Sequence, residues 1–232
     1  MNDLNQRIEK YWDNRSENLG QIRSRELHGK NFDAWKNLFS EKLPEKNLLI
    51  LDIGTGAGFF PVILSKLGHR VVGIDMSSQM LHEAEKNLAS FTCQAELRRM
   101  NAQELDFPNE SFDVIVSRNL TWTLPNVPMA YREWKRVLKI NGTLINFDSN
   151  YGNLKFATED FLLNSKMLEE CDSIKDSLEI SSMIRPDWDS NFLREIGFEV
   201  EIDPDISVRV QKDESIPYDK IAVFGIYAKR IS

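Results

Sequence analysis

The stretch "LLILDIGTGAGFFPVILSKLGHRVVGID", Leu48 to Asp75, runs through an apolar segment, a glycine cluster, a helical pattern, a second apolar segment and an aspartate. Strand, glycine turn, helix, strand and acidic strand end are, in that order, the parts of a nucleotide-binding βαβ unit. "LLILDI" is the first strand, and "RVVGID" is the second. Between them the sequence predicts a helix from about Gly58 to Leu67, stopped by Gly68 at a position where glycine ends helices well. Proline is tolerated in the first turn of a helix, so Pro61 places the helix start near Gly58, with its free N–H groups facing the glycine turn.

The dinucleotide fingerprint G-x-G-x-x-G has a third glycine that allows close packing of helix on strand. Here Gly54 and Gly56 are followed by Gly58, and the third fingerprint position is Phe59, which disfavours a nicotinamide dinucleotide. Asp52 ends the first strand two residues before Gly54; a carboxylate there repels a pyrophosphate and attracts an ammonium or sulfonium group. The bland alternative for the glycines is a tight turn with no ligand. For Asp75 it is a cap on the following helix, a role compatible with ligand binding.

Outward from this unit, strands and helices alternate, which predicts a mostly parallel sheet covered on both faces. Ser77 can cap a helix carrying Met80, Leu81, Ala84 and Leu88 on one side. "AELRRM" and "FDVIVS" read as the third and fourth strands, and a helix with Ala130, Tyr131, Trp134, Val137 and Leu138 on one stripe follows. "TLINFD", after an Asn141-Gly142 turn, is the fifth strand; "DWDSNFLREIGFEVEI" is a helix running into a strand, and "KIAVFGIYAKR" is a last, alternating strand. Residues 1–47 read as a helical cover and 48–148 as the core of a single domain. Residues 149–185 form a polar, helix-containing insertion of the length expected for a lid, and 186–232 complete the sheet.

The chain has 232 residues, 41% of them hydrophobic, enough for one well-buried domain, and a net charge of -7. With a pI near 5.2 this argues against a nucleic-acid partner gripped by phosphate contacts and favours small or cationic ligands. Cys93 and Cys171 stand far apart in no metal or disulfide pattern, so no metal site is expected. The N-terminus lacks the apolar segment of a signal peptide, and no run of 18 apolar residues occurs, which leads us to expect a cytoplasmic chain with no membrane partner.

From Leu48 to about Asn150 the chain resembles the class I S-adenosylmethionine (SAM)-dependent methyltransferases. "LDIGTGAGF" is similar to their motif I; "MNAQELDFPNESFDVIVS" resembles their acidic-alanine loop and the strand after it; "AYREWKRVLKINGTLI" resembles the helix, turn and strand that follow, most closely in the small-molecule branch with the ubiquinone and menaquinone biosynthesis enzymes. The resemblance implies a Rossmann-like doubly wound, mostly parallel seven-stranded sheet with an antiparallel last strand, under the helical cover and a lid after strand five. It implies SAM as cofactor and S-adenosylhomocysteine as product. Gly54, Thr55, Gly56 and Gly58 would meet the methionine part, with Asp52 near its amino group. Asp75, at 75 − 54 = 21 residues past the first glycine, would take the ribose hydroxyls, with Met76 beside it, and Asn101 and Ala102 would lie against the adenine. The family commonly has Asp where Asn101 stands; an amide oxygen still accepts a hydrogen bond but brings no charge. Arg118, at the end of the fourth strand, completes the expected cofactor set. Tyr11 and Arg15 would close over the cofactor from the N-terminal helix, although Tyr11 and Trp12 equally suit a core stripe.

Methyl transfer from a sulfonium is an in-line displacement in which positioning supplies much of the acceleration. Open α/β sheets bind ligands at the carboxyl ends of their strands, which makes Asn119, Trp122, Asp148, Asn150 and Tyr151 the acceptor-side candidates. Packing under the lid is the alternative for Trp122 and Tyr151, and a turn role for Asp148. No base stands out: His69 and His82 lie away from that end, and only His28 has reach, with an ordinary surface histidine the plainer reading. Three readings stay open: a small-molecule methyltransferase, a SAM-binding protein without catalysis, and a nicotinamide oxidoreductase.

Overall fold

The computed structural model describes residues 3–44, 47–156, 165–216, 218 and 221–232. In chain order the elements are α1 (Asp3–His28), α2 (Lys30–Lys42), β1 (Leu49–Ile53), α3 (Phe59–Lys66), β2 (Arg70–Asp75), α4 (Ser78–Ser90), β3 (Glu96–Arg99), β4 (Phe112–Arg118), α5 (Val127–Val137), β5 (Leu138–Ser149), α6 (Ser165–Asp176), α7 (Asp187–Glu195), β6 (Phe198–Asp203), the single turn α8 (Ser207–Val210) and β7 (Val223–Arg230). The strands form one seven-stranded sheet in the order β3-β2-β1-β4-β5-β7-β6. β1 pairs in parallel with β2 and β4, β2 with β3 and β4 with β5, whereas β7 runs antiparallel between β5 and β6. The strand order reverses direction at β1 and β4, the place where open sheets of this kind leave a crevice for ligand.

The central strands are nearly continuous apolar runs because helices cover both of their faces. On one side Trp35 and Phe39 of α2 and Phe60 and Ile63 of α3 pack with Val116 and Phe147 of the sheet. On the other, Tyr131 and Trp134 of α5 and Leu193 of α7 pack with Leu51, Ile115 and Leu144. Ser77 caps α4 by accepting the Met80 N–H at 3.0 Å, as its residue type predicts.

One boundary differs from the expectation. Leu138 opens β5 instead of closing α5, and the Asn141-Gly142 step lies inside the strand. Phe112 pairs with Leu138 and Val114 with Thr143, so residues 138 to 143 span what β4 covers from 112 to 114. Asn141, at φ +62°, forms the bulge that absorbs the excess. The turn chemistry was legible; its absorption into a longer strand depends on pairing with β4.

Candidate active site

At the carboxyl ends of β1, β2 and β4, beneath α1, lies a cavity of about 300 Å³. The glycine turn that follows β1 forms its floor. Gly54 and Thr55 both donate their N–H groups to the Ile74 carbonyl at 2.9 Å, which ties the turn to β2. Gly56 has φ +50°, and a Cβ built there would meet nothing closer than the Gly54 carbonyl at 4.0 Å, so its bare face is open toward the cavity. Gly58 does something else. A Cβ on it would stand 2.9 Å from that of Ala84, so this glycine lets α3 approach α4, and it does not line the cavity.

Two carboxylates stand at the tips of β1 and β2. Asp52 is 2% exposed, and its Oδ2 accepts the Thr55 hydroxyl at 2.6 Å. Burial pushes its pKa up to about 7, the neighbouring Asp75 adds to the shift, and the Thr55 bond opposes it. Asp75 accepts the Gly56 N–H through Oδ2 and the Ser77 N–H through Oδ1, each at 2.9 Å. Burial raises its pKa to about 6 against the pull of those backbone donors. The capping alternative is thus half realised: Ser77 is the cap, and Asp75 holds the cap residue in place. Among the described residues neither carboxylate has an ion-pair partner, which leaves a concentration of negative charge facing the cavity.

Beyond β2 and β3 the wall is Met76, Asn101 and Ala102. Asn101 Oδ1 accepts the Gln103 N–H at 3.0 Å, and the Trp134 indole donates to the Ala102 carbonyl at 2.8 Å, so this loop is fixed from both sides. α1 forms the roof. Its Tyr11 and Arg15 line the cavity, with Arg15 Nη1 donating to the Tyr11 hydroxyl at 3.1 Å. The helix is fastened by Asp13 to the Ser77 hydroxyl at 2.5 Å, by Glu9 to Arg99, and by Arg7 to Glu170 of α6 at 3.1 Å. Arg118 lies over the rings of Trp35 and Phe59 at 4.9 and 4.8 Å. It pairs with Glu26 at 3.3 Å, and its buried Nη1 has no hydrogen-bond partner. Although Glu26 is buried, Arg118 and Arg23 hold its pKa down at about 2. That leaves two guanidinium groups on one carboxylate, a net positive corner of the site.

Of the acceptor-side candidates, Asn119, Trp122 and Tyr151 line the cavity. Asn119 is held at φ +53°, and its buried Oδ1 has no partner. Asp148 and Asn150 stand elsewhere. Asp148 is fully buried behind the wall, where its carboxylate accepts the Trp122 N–H at 3.0 Å, and Asn150 is exposed and not part of the lining. His28 is also outside: its ring lies on Phe91 at 4.6 Å on the surface. The sequence reading missed Phe156, Leu168 and Cys171 from the insertion, and Ile216 and Tyr218 from the segment before β7. No motif marks these residues, and only chain folding brings them in. With Trp12 they extend an aromatic wall: Trp12 to Trp122 at 6.2 Å, Trp122 to Tyr151 at 5.0 Å and Tyr151 to Phe156 at 5.4 Å between ring centroids. Burial pushes the Cys171 thiol up to about 11, so it is a protonated wall group and not a nucleophile.

The residues fit SAM. Uncompensated carboxylates at the β1 and β2 tips suit its ammonium group and ribose hydroxyls, the open face of Gly56 leaves room for its methionine part, and the unpartnered Arg118 nitrogen suits a carboxylate.

Comparison with known proteins agrees. Residues 51–146 match the family model described as a methyltransferase domain. A phosphatidylethanolamine N-methyltransferase of Cereibacter sphaeroides is 35% identical over 100 residues, 41% of this chain and 48% of the relative. A ubiquinone/menaquinone biosynthesis C-methyltransferase of Rickettsia massiliae is 32% identical over 119 residues, 48% of each chain. The chain spans about half the length of the curated relatives it matches. A SAM-dependent methyltransferase of Aquifex aeolicus shares the fold, with a TM-score of 0.59 at 19% identity over 89% of this chain and 96% of the other. With the motif order, the sheet and the domain match in agreement, residues 51–146 form a methyltransferase domain within the fold of the S-adenosylmethionine-dependent methyltransferases, and S-adenosylmethionine is the cofactor this half of the chain fits.

Proposed function

We propose that this protein transfers a methyl group from SAM to a small-molecule acceptor, mainly by holding the two in line and away from water. The observation that carries this reading is the continuity of one cavity, from the Asp52 and Asp75 carboxylates to the aromatic wall of Trp12, Trp122, Tyr151 and Phe156. Donor and acceptor would then share a single space. Asp52, Gly54, Thr55, Gly56 and Arg118 would hold the methionine part, Asp75 the ribose, and Met76, Asn101 and Ala102 the adenine, under Tyr11 and Arg15. When bound, the cofactor supplies an electrophilic methyl on a sulfonium. The chain's own contribution is alignment, which is worth up to roughly 7 to 11 kcal/mol in well-oriented systems.

Asn119, Trp122 and Tyr151 would orient the acceptor. Among the described residues the lining contains no histidine, which favours acceptors that arrive already nucleophilic. The two relatives' names place methylation on a nitrogen and on a carbon respectively, which supports reading the acceptor atom as a matter for the wall and not for the cofactor half. Residues 1–47 and 149–185, of which 1–2, 45–46 and 157–164 lie outside the described residues, act in this reading as cover and lid, within a single cytoplasmic domain. No described helix is long and apolar enough to cross a membrane. A second reading, SAM binding without catalysis, draws on the same lack of a base. The deciding experiment incubates the protein with SAM and fractionated metabolites and measures S-adenosylhomocysteine release. Saturable release with one fraction supports transfer; tight binding with no release from any fraction supports the second reading.

A further inference from the structure

Behind the aromatic wall lies a buried polar cluster whose members do not line the cavity. Asp148 of β5 accepts the Thr121 hydroxyl, the Trp122 N–H at 3.0 Å and Arg185 Nη1 at 3.2 Å on one carboxylate oxygen. Arg185 also donates to the Thr121 hydroxyl oxygen at 2.6 Å and forks onto Asp189 of α7 with two bonds of 2.8 Å. Asn146 donates to Thr121 Oγ1 at 3.2 Å. Thr121 is fully buried, Arg185 is 6% exposed, and Asp148 and Asp189 are fully buried. Buried ionic groups of this kind contribute little net stability, because desolvation offsets their attraction, but they hold a geometry and make the loss of one partner costly.

What the cluster holds is the turn after β4. Thr121 and Trp122 sit in that turn, and its neighbours Leu120, Thr123 and Leu124 line the cavity with Trp122. Leu120 also touches the glycine turn, since a Cβ on Gly54 would reach its side chain at 2.9 Å. One hydroxyl therefore has its proton committed to Asp148 and its lone pairs to Arg185 and Asn146, and it fixes a turn that borders both cofactor and acceptor space. Arg185 closes the insertion, so the far end of that segment is clamped to the wall of the site. We infer that Arg185 and Asp148 are positioning residues that act through Thr121 on the Trp122 wall. The inference rests on the proposed use of this cavity for cofactor and acceptor.

The test uses the full chain with fluorine-labelled tryptophan, the Trp122 resonance being assigned through Trp122→Phe, and S-adenosylhomocysteine as the probe. Thr121→Val keeps the shape and removes the hydroxyl; Thr121→Ser keeps the hydroxyl. Thr121→Val should shift or broaden the Trp122 resonance while that of Trp35, on the other face of the sheet, stays put, and should weaken S-adenosylhomocysteine binding about tenfold. Thr121→Ser should restore both. If Thr121→Val does not fold, Asp148→Asn, which keeps an acceptor for the Trp122 N–H and removes the charge facing Arg185, should give the same pattern at smaller size. An unmoved Trp122 resonance with unchanged affinity overturns the inference, as does a uniform shift of all tryptophans with equal loss of melting temperature in both Thr121 variants. If the unmodified chain fails to bind S-adenosylhomocysteine, the functional reading falls, whereas the resonances still report on the wall.

Discussion

Asp75 at the tip of β2 accepts the N–H of Gly56 in the turn after β1, at 2.9 Å. The acidic strand end and the glycine turn are therefore one unit, and the carboxylate both shapes the turn and faces the cavity that the turn lines. Hydrogen bonds to charged groups are worth about 1.5 to 3 kcal/mol. Asp75→Ala should therefore raise the Kd for S-adenosylhomocysteine by roughly ten- to 150-fold. Calorimetry on a variant shown by circular dichroism to be folded checks this, and unchanged affinity would mean that the carboxylate only ties the turn.

Gly56→Val should abolish measurable cofactor binding. At φ +50° a β-branched residue is strained, and its side chain would enter the space left open above the turn. Gly58→Val should instead lower the melting temperature, since its side chain collides with Ala84 of α4. The two neighbouring substitutions thus separate a ligand contact from a packing contact, and thermal scans with and without S-adenosylhomocysteine distinguish them.

The pKa values of Asp52, raised to about 7, and Asp75, raised to about 6, set a pH dependence. In an unfolded chain both titrate near 4. Between pH 4 and 7 the unliganded fold therefore binds more protons than the unfolded chain, and its stability falls as pH rises through that window. A cationic ligand reverses the sign by favouring the ionised carboxylates. SAM should bind more tightly as pH rises from 5 to 7.5 and should release protons on binding, which calorimetry in buffers of different ionisation enthalpy measures. Affinity independent of pH over this range would remove both carboxylates from the contact set.

Ligand should also tighten the roof. α1 is held to α6 by Arg7 and Glu170, a half-exposed pair of the kind worth at most about 1 kcal/mol. That tie alone offers little resistance to local opening of the seam between α1 and α6, although α1 is also fastened at Ser77 and Arg99. S-adenosylhomocysteine should slow amide hydrogen exchange in α1 and α6 far more than in α3, which is buried against the sheet. Equal protection everywhere would show that the roof is already closed.

How far the sequence reached can be read residue by residue. The order of β1 to β5, the glycine turn and the cap at Ser77 were legible from period and turn chemistry, and the lining positions Asp52 and Asp75 from their places at strand ends, whereas Met76, Asn101 and Arg118 were reached through the resemblance to methyltransferase motifs. Asp148 misled for a related reason. A carboxylate at a strand end points either into the crevice or behind it, and one residue of register decides which.

Local pattern in the chain was enough for the doubly wound sheet and for the cavity residues at the tips of β1, β2 and β4, because βαβ geometry places the ends of successive parallel strands side by side whatever the rest of the chain does. The far wall of the cavity depends on long-range packing. Phe156, Cys171 and Tyr218 lie outside every motif and come to the cavity from segments far from the glycine turn, and Arg185 reaches Thr121 across 64 positions of chain. Such contacts arise from the packing of whole elements, with no local periodicity to announce them. The far wall therefore forms only when α1, α6 and the described residues Phe156, Ile216 and Tyr218 pack at the carboxyl ends of the strands.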